Sequence, residues 1–186
     1  MSRSPYAASQ VKKPVELTPE EMKVAGDIGE TAFKAWLDGV GISFVAVSQA
    51  TETFAKLFQN TTKRPDFLVL FESIGLLAVD VKNYTQGDPR FWTLPYEKEL
   101  KKVLTFERLF RLPVWYAYYI DGKKWLWISA LKAVEVGKLI EPEGKDSFLS
   151  IKVEEFVEVS TNDDFGKLFG HRLPGLDRIG DLDKKS

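Results

Sequence analysis

The chain has 186 residues, 44% hydrophobic and 28% charged, which suits one globular domain with a sizeable core. A formal net charge of −1 excludes coating of nucleic acid by bulk positive charge, although a local basic groove remains compatible with it. With no cysteine and a single histidine, His171, the chain cannot form disulfides, thiolate nucleophiles, Cys-based zinc sites or multi-histidine metal sites.

Any metal must therefore be held by oxygen, which selects Mg²⁺, Mn²⁺ or Ca²⁺. A Ser-His-Asp hydrolase would have to use His171, and no Gly-x-Ser-x-Gly elbow is present. No apolar run is long enough to span a bilayer. Met1 to Pro14 has basic residues but no apolar core of a secretory signal, so a cytoplasmic location is the default expectation.

Residues 1–17 mix Ser, Pro, Lys and Ala without periodicity and read as a flexible arm. The first helix starts at Thr18. Thr18-Pro19-Glu20-Glu21 supplies an N-cap, a proline at the first helical position and a capping-box Glu. Met22, Ala25, Gly29, Phe33, Trp36 and Val40 then recur at helical spacing, and Gly39 and Gly41 end the run. Ile42 to Val47 reads as a buried strand, and Glu52 to Gln59 as a short helix. Phe67 to Phe71 and Leu76 to Val79 read as a hairpin with a short turn at Glu72 to Gly75. A polar loop, Asn83 to Arg90, leads to a second helix from about Pro95 to Leu112, which Pro113 stops. Val114 to Ile120 is β-rich, Asp121-Gly122 is a hairpin turn signal, and a strand follows around Trp125 to Ser129. Phe148 to Val159 reads as a strand leading into a short helix. Asn162 to Ser186 reads as loops and tail. The organisation expected is an arm at 1–17, one domain at 18–160 and a C-terminal loop and tail at 161–186.

A turn centred near Ser73–Ile74 would set Asp66 nearly opposite Lys82, with Asp80 a diagonal neighbour within side-chain reach. Asp80 and Lys82 share one face of their strand, and Val79 and Val81 take the other. Such a cluster is costly to bury without compensation, and a hard divalent cation compensates well. Asp66 and Asp80 can ligate it, the Val81 carbonyl can add an oxygen, and Glu30 on the first helix can complete the set. Gly26, one turn before Glu30, would let that helix approach the sheet. Lys82 can orient a water or stabilise charge developing on phosphorus. Lys63 and Arg64, just before Pro65-Asp66, are placed to meet a phosphate backbone. Each signal has an ordinary counterpart, such as an exposed Glu30–Lys34 pair one helical turn apart; their conjunction carries the weight. The aromatic run Trp115, Tyr116, Tyr118, Tyr119, Trp125 and Trp127 reads as sheet core or an oligomer interface rather than a base-stacking surface.

Gly26-x-x-x-Glu30, Arg64-Pro65-Asp66-Phe67 and Asp80-Val81-Lys82 together resemble the PD-(D/E)XK nuclease superfamily, which includes restriction endonucleases and archaeal Holliday junction resolvases. The resemblance spans about residues 18–120. It implies a restriction endonuclease-like α/β fold: an αβββαβ core with a central mixed sheet flanked by helices, followed here by C-terminal additions. It also implies a Mg²⁺-dependent endonuclease, with Mn²⁺ able to substitute, acting on DNA as a homodimer. Asp66, Asp80 and Glu30 would be ligands and Lys82 the residue acting on the transition state. Resolvase-like members often carry a Gln or other polar residue in the second helix, where this chain reads Tyr96-Glu97-Lys98-Glu99-Leu100-Lys101-Lys102. The other reading is a non-catalytic nucleic-acid-binding or complex-forming module on the same fold.

Overall fold

The computed structural model describes residues 18–53, 55–71, 75–83, 88, 90–122 and 124–172. The arm expected at 1–17 and the tail beyond 172 lie outside them. The first helix, α1 (Pro19–Val40), begins as its residues dictate. The Thr18 hydroxyl accepts from the Glu21 N–H at 3.3 Å, and the Glu21 carboxylate accepts from the Thr18 N–H at 2.7 Å. Its buried stripe is Gly29, Phe33 and Leu37.

A six-stranded mixed sheet follows, ordered β1 (Ser43–Ala46), β2 (Phe67–Phe71), β3 (Gly75–Lys82), β5 (Val114–Ile120), β6 (Lys124–Ser129) and β9 (Val157–Val159). β1, β2 and β3 pair antiparallel in succession. β3 then pairs parallel with β5, which requires the intervening chain to cross over the sheet. That crossover contains β4 (Phe91–Pro95), a π-helical turn at Tyr96–Leu100, and α2 (Lys101–Phe110). β6 returns antiparallel to β5 after the Asp121-Gly122 turn, and β9 pairs with β6. α3 (Ala130–Val136), β7 (Lys138–Ile140) and β8 (Phe148–Lys152) follow β6, and β4-β8-β7 form a second, three-stranded sheet. The expected αβββαβ order is present as α1-β1-β2-β3-α2-β5, with β4 inserted.

Each face of the main sheet buries its own core. Phe33 and Leu37 of α1 pack on Phe67, Val69, Val79, Trp115 and Trp127. On the opposite face, Val103 and Phe106 of α2 and Trp92, Leu94 and Ile151 of the second sheet cover Ala78, Tyr116 and Tyr118. Burial of Trp115, Tyr116, Tyr118, Trp125 and Trp127 agrees with the reading of that run as core.

Several expectations need correction. The strand after α1 is short and mostly exposed rather than buried, because it forms the sheet's edge and only Phe44 turns toward the core. The helix expected at Glu52–Gln59 is two separate 3₁₀ turns, Thr51–Thr53 and Lys56–Phe58. β4 fills the gap between the expected loop, which ends at Arg90, and the helix expected from about Pro95; its apolar Trp92 and Leu94 alternate inward against β8. The segment Phe148–Val159 holds two strands rather than one, joined by a 3₁₀ turn. Residues expected to be tail form α4 (Phe165–Arg172), whose Phe165 and Leu168 belong to the first core. A few apolar residues among glycines and charges hid that helix from the sequence.

Candidate active site

The β2–β3 register places the site. Phe67 pairs with Val79, so Asp66, one residue before β2, stands level with Asp80 rather than with Lys82. The expected register was two residues off, because Phe71 pairs with Gly75. The correction brings the two carboxylates closer. The Asp66 backbone N–H donates to the Val79 carbonyl at 2.9 Å, and its side-chain Oδ2 accepts from the Val81 N–H at 2.7 Å. Asp66 thus continues the ladder with its side chain.

Ala78, Asp80 and Lys82 alternate onto the face shared with Tyr116 and Tyr118 of β5. Val79 and Val81 face α1, as expected. Asp80 is wholly buried and Lys82 nearly so. The Lys82 ammonium contacts Asp80 Oδ1 and Glu99 Oε1, and lies 5.4 Å above the Tyr116 ring. The Lys63 Nζ stands 2.6 Å from Asp80 Oδ2 as an ion pair without hydrogen-bond alignment, and donates to Glu99 Oε1 at 3.1 Å.

Glu99 is the site residue that the sequence left unassigned. It is buried in the π-helical turn before α2 and bridges both lysines. A signal was available: Glu99 lies four residues before Val103 and seven before Phe106, so a carboxylate interrupts the helix's apolar stripe. The interleaved Glu97, Lys98, Lys101 and Lys102 obscured it. Lys101–Glu97 and Lys98–Asp146 are solvated pairs.

Glu30 is half-buried and has no ion pair with Lys34 among the described residues. It joins the site through charge rather than contact. Burial raises its carboxyl above the ordinary range, helped by Asp27 and Asp80 and opposed by Lys63 and Lys82. Gly26 is not the close-approach glycine, since a Cβ there would meet nothing within 4 Å. That role falls to Gly29, where a Cβ would lie 2.8 Å from the Asn83 Cβ. The Asn83 amide also donates to the Ala25 carbonyl at 2.8 Å, tying the end of β3 to α1.

Lys63 and Arg64 have different placements. Lys63 turns inward to the carboxylates. The Arg64 guanidinium donates to the carbonyls of Gln49 and Ala50 at 2.7 and 3.0 Å and to the Thr53 hydroxyl at 2.7 Å, so it pins the loop before β2.

The electrostatics follow from four carboxylates, Glu30, Asp66, Asp80 and Glu99, facing two ammonium groups, which leaves an excess of negative charge. Burial alone would raise the Asp80 carboxyl, but Lys63 and Lys82 outweigh it and hold it below the ordinary value. At Asp66 the balance falls the other way. Burial, then the Asp80 charge, push its carboxyl up to about 7 against the pull of Lys63, Lys82 and the Val81 N–H. Burial also raises the Tyr116 phenol well above its usual value, with Asp80 and Glu99 adding to the effect. Burial disfavours the Lys63 ammonium, yet Asp80, Glu99 and Asp66 keep it firmly protonated.

The donor set suits a hard cation: all oxygen, negative in excess, with one buried Asp80 oxygen lacking an aligned hydrogen bond. No group of three or more carboxylates and histidines forms a preassembled metal cage among the described residues. Mg²⁺ is commonly held by one or two carboxylates, with water and substrate phosphate completing the octahedron, and Asp66 and Asp80 match that pattern. A wide surface hollow lined by Pro142, Gly144, Lys145, Asp146 and Phe148 lies elsewhere, and none of the site residues lines it.

No family model matches the sequence, and no curated protein matches it. Among solved structures, the chain is similar to a Holliday junction resolvase from the archaeal hyperthermophile Archaeoglobus fulgidus. The two are 16% identical over 72% of this chain and 91% of that one, with a TM-score of 0.47.

Proposed function

We propose that this protein is a metal-dependent nuclease that hydrolyses phosphodiester bonds of nucleic acid, with DNA the expected substrate. The observation that carries the reading is the meeting of Asp66, Asp80 and Lys82 at one end of a hydrophobic hairpin, with the two carboxylates level across it. Asp66 and Asp80 would hold a divalent cation, Mg²⁺ or Mn²⁺, with the Val81 carbonyl as a further oxygen and Glu30 as an accessory ligand. When bound, the ion supplies the Lewis acidity and concentrated positive charge that phosphodiester hydrolysis requires.

The chain's own residues supply the rest. Lys82, fixed by Asp80 and Glu99, presents an ammonium with few accessible rotamers, suited to orienting water or stabilising charge on phosphorus. The Val81 N–H holds the Asp66 carboxylate in place through Oδ2. Lys63, a third of whose side chain is open to solvent, and Arg64 beside it in the loop before β2 would be the first basic groups to meet a phosphate backbone. The second sheet and α2 cover the face that carries Asp80 and Lys82, and the half-buried Asp66, Lys63 and Glu30 are the more exposed members of the site. A homodimer would suit cuts on two strands.

The test is a cleavage assay over DNA and RNA duplexes, single strands and four-way junctions, with Mg²⁺ and with Mn²⁺. Wild type should cut at least one substrate. Asp80→Asn and Lys82→Gln, shown folded by circular dichroism, should each lose about 10²-fold or more in rate. Undiminished cleavage by either variant would refute the assignment.

One observation favours a second reading, a non-catalytic nucleic-acid-binding or complex-forming module. Each oxygen of Asp80 already faces a lysine, so the cluster is partly neutralised without a metal. Nucleic-acid binding that ignores divalent ions, with no cleavage of any substrate, would establish that reading.

A further inference from the structure

We infer that Lys63 is a tethered counter-ion at Asp80, which a divalent cation must displace to bind; the inference rests on the metal-site reading above. The two lysines on Asp80 are held differently. Lys82 projects from the middle of the sheet, is 4% exposed, and is locked between Asp80, Glu99 and the Tyr116 ring. Lys63 projects from the loop before β2, and a third of its side chain, 33%, is open to solvent. Asp80 itself is fully buried, and its Oδ2 is paired with the more exposed of the two lysines.

Lys63 is also shared between two carboxylates. Its Nζ lies 2.6 Å from Asp80 Oδ2 and also donates to Glu99 Oε1 at 3.1 Å. Lys63 can therefore leave Asp80 and keep Glu99, without becoming an unpaired ammonium in a half-buried position. A dication and an ammonium at the same carboxylate oxygen repel each other, so binding of one disfavours the other. Metal affinity is then the intrinsic affinity of the oxygens lowered by the competition from Lys63. Without metal, the same side chain offsets the cost of burying Asp80.

Isothermal titration of the full chain with Mg²⁺ and with Mn²⁺, without nucleic acid, tests this. Lys63→Met keeps the length and removes the charge, and should bind both ions at least tenfold more tightly than wild type. Lys63→Arg keeps the charge and should stay within about threefold of wild type. Lys56→Met, an exposed charge away from the cluster, controls for net charge and should stay within twofold. Binding by Lys63→Met no tighter than wild type overturns the inference while leaving the metal site standing. Binding by none of the variants overturns the metal-site reading, and the inference with it. If Lys63→Met does not fold, the readout is the Lys63 Nζ resonance of wild type, assigned by its loss in Lys63→Arg. It should shift on saturation with Mg²⁺, and an unmoved resonance overturns the inference.

Discussion

Asp66 carries the carboxyl whose protonation is coupled most openly to stability. Its folded value of about 7 lies above the ordinary 3.8, so the folded chain holds that proton more tightly than the unfolded chain. The corresponding stability is present below about pH 4 and is lost as pH rises through 7. Asp66→Asn keeps an acceptor for the Val81 N–H and removes the charge. In metal-free buffer at pH 8 it should be more stable than wild type by about 1–2 kcal/mol, less than the full shift implies because Asp66 is partly exposed and coupled to Asp80. Denaturant melts at pH 8 and pH 5 should show the gap closing at the lower pH; a constant or inverted gap would count against this account. Lys82 has the opposite character. Removing it leaves Asp80 with Lys63 alone and weakens the neutralisation of Glu99. Lys82→Met should cost about 3 kcal/mol by the same measurement, as expected when one partner of a buried ion cluster is lost. Lys101→Met, which breaks only a solvated pair with Glu97, should leave the melting temperature unchanged.

Among the elements, α1 matters for where it touches the sheet. Two glycines one turn apart, Gly26 and Gly29, are alike in sequence and opposite in surroundings. At Gly29 a new Cβ would meet Asn83 Cβ at 2.8 Å and Val81 Cγ1 at 3.4 Å. Gly29→Ala should therefore destabilise by about 1–3 kcal/mol through overpacking. It should also move Glu30 away from the carboxylates, which would weaken metal binding under the proposed function. Gly26→Ala faces open space and should stabilise by up to about 1 kcal/mol through helix propensity. Thermal melts of the two variants decide the point, and a reversed order would show that the helix sits differently on β3. The π-helical turn is the second positioning element. It lets Glu99 and the adjacent Leu100 both be buried, one against the lysines and one in the second core. Wide turns of this kind are often found at functional sites.

For the molecule as a whole, the sheet separates two cores and the site occupies the end of one of them. The first core extends to α4, since Phe165 packs at ring-centroid distances of 4.2 Å from Phe71 and 5.8 Å from Trp127. A chain ending at residue 160 would expose Phe71, Trp127 and Leu77 on that side. Phe165→Ala should cost about 3–5 kcal/mol, and truncation after residue 160 should lower the melting temperature by more than the point substitution does. A truncated chain as stable as the full one would show that α4 is dispensable. No helix among the described residues is long and apolar enough to cross a membrane.

The sequence by itself determined the local structure. The capping box at Thr18, the Asp121-Gly122 turn and the alternation of Asp80 and Lys82 on one strand face are set by residues a few positions apart. It also limited any metal site to oxygen ligands, because Cys is absent and His171 stands alone. Only the tertiary structure decided the rest. The register that sets Asp66 level with Asp80 is fixed by the pairing of β2 with β3, and a shift of two residues keeps the same faces buried. β4 and α4 depend on partners far along the chain, β8 and the Phe71–Trp127 surface. Glu99 and Lys63 are 36 residues apart and meet only because the crossover returns α2 over the end of β3. Charged residues carry no periodic signal for such meetings, since a carboxylate looks the same in sequence whether it faces water or two buried ammonium groups.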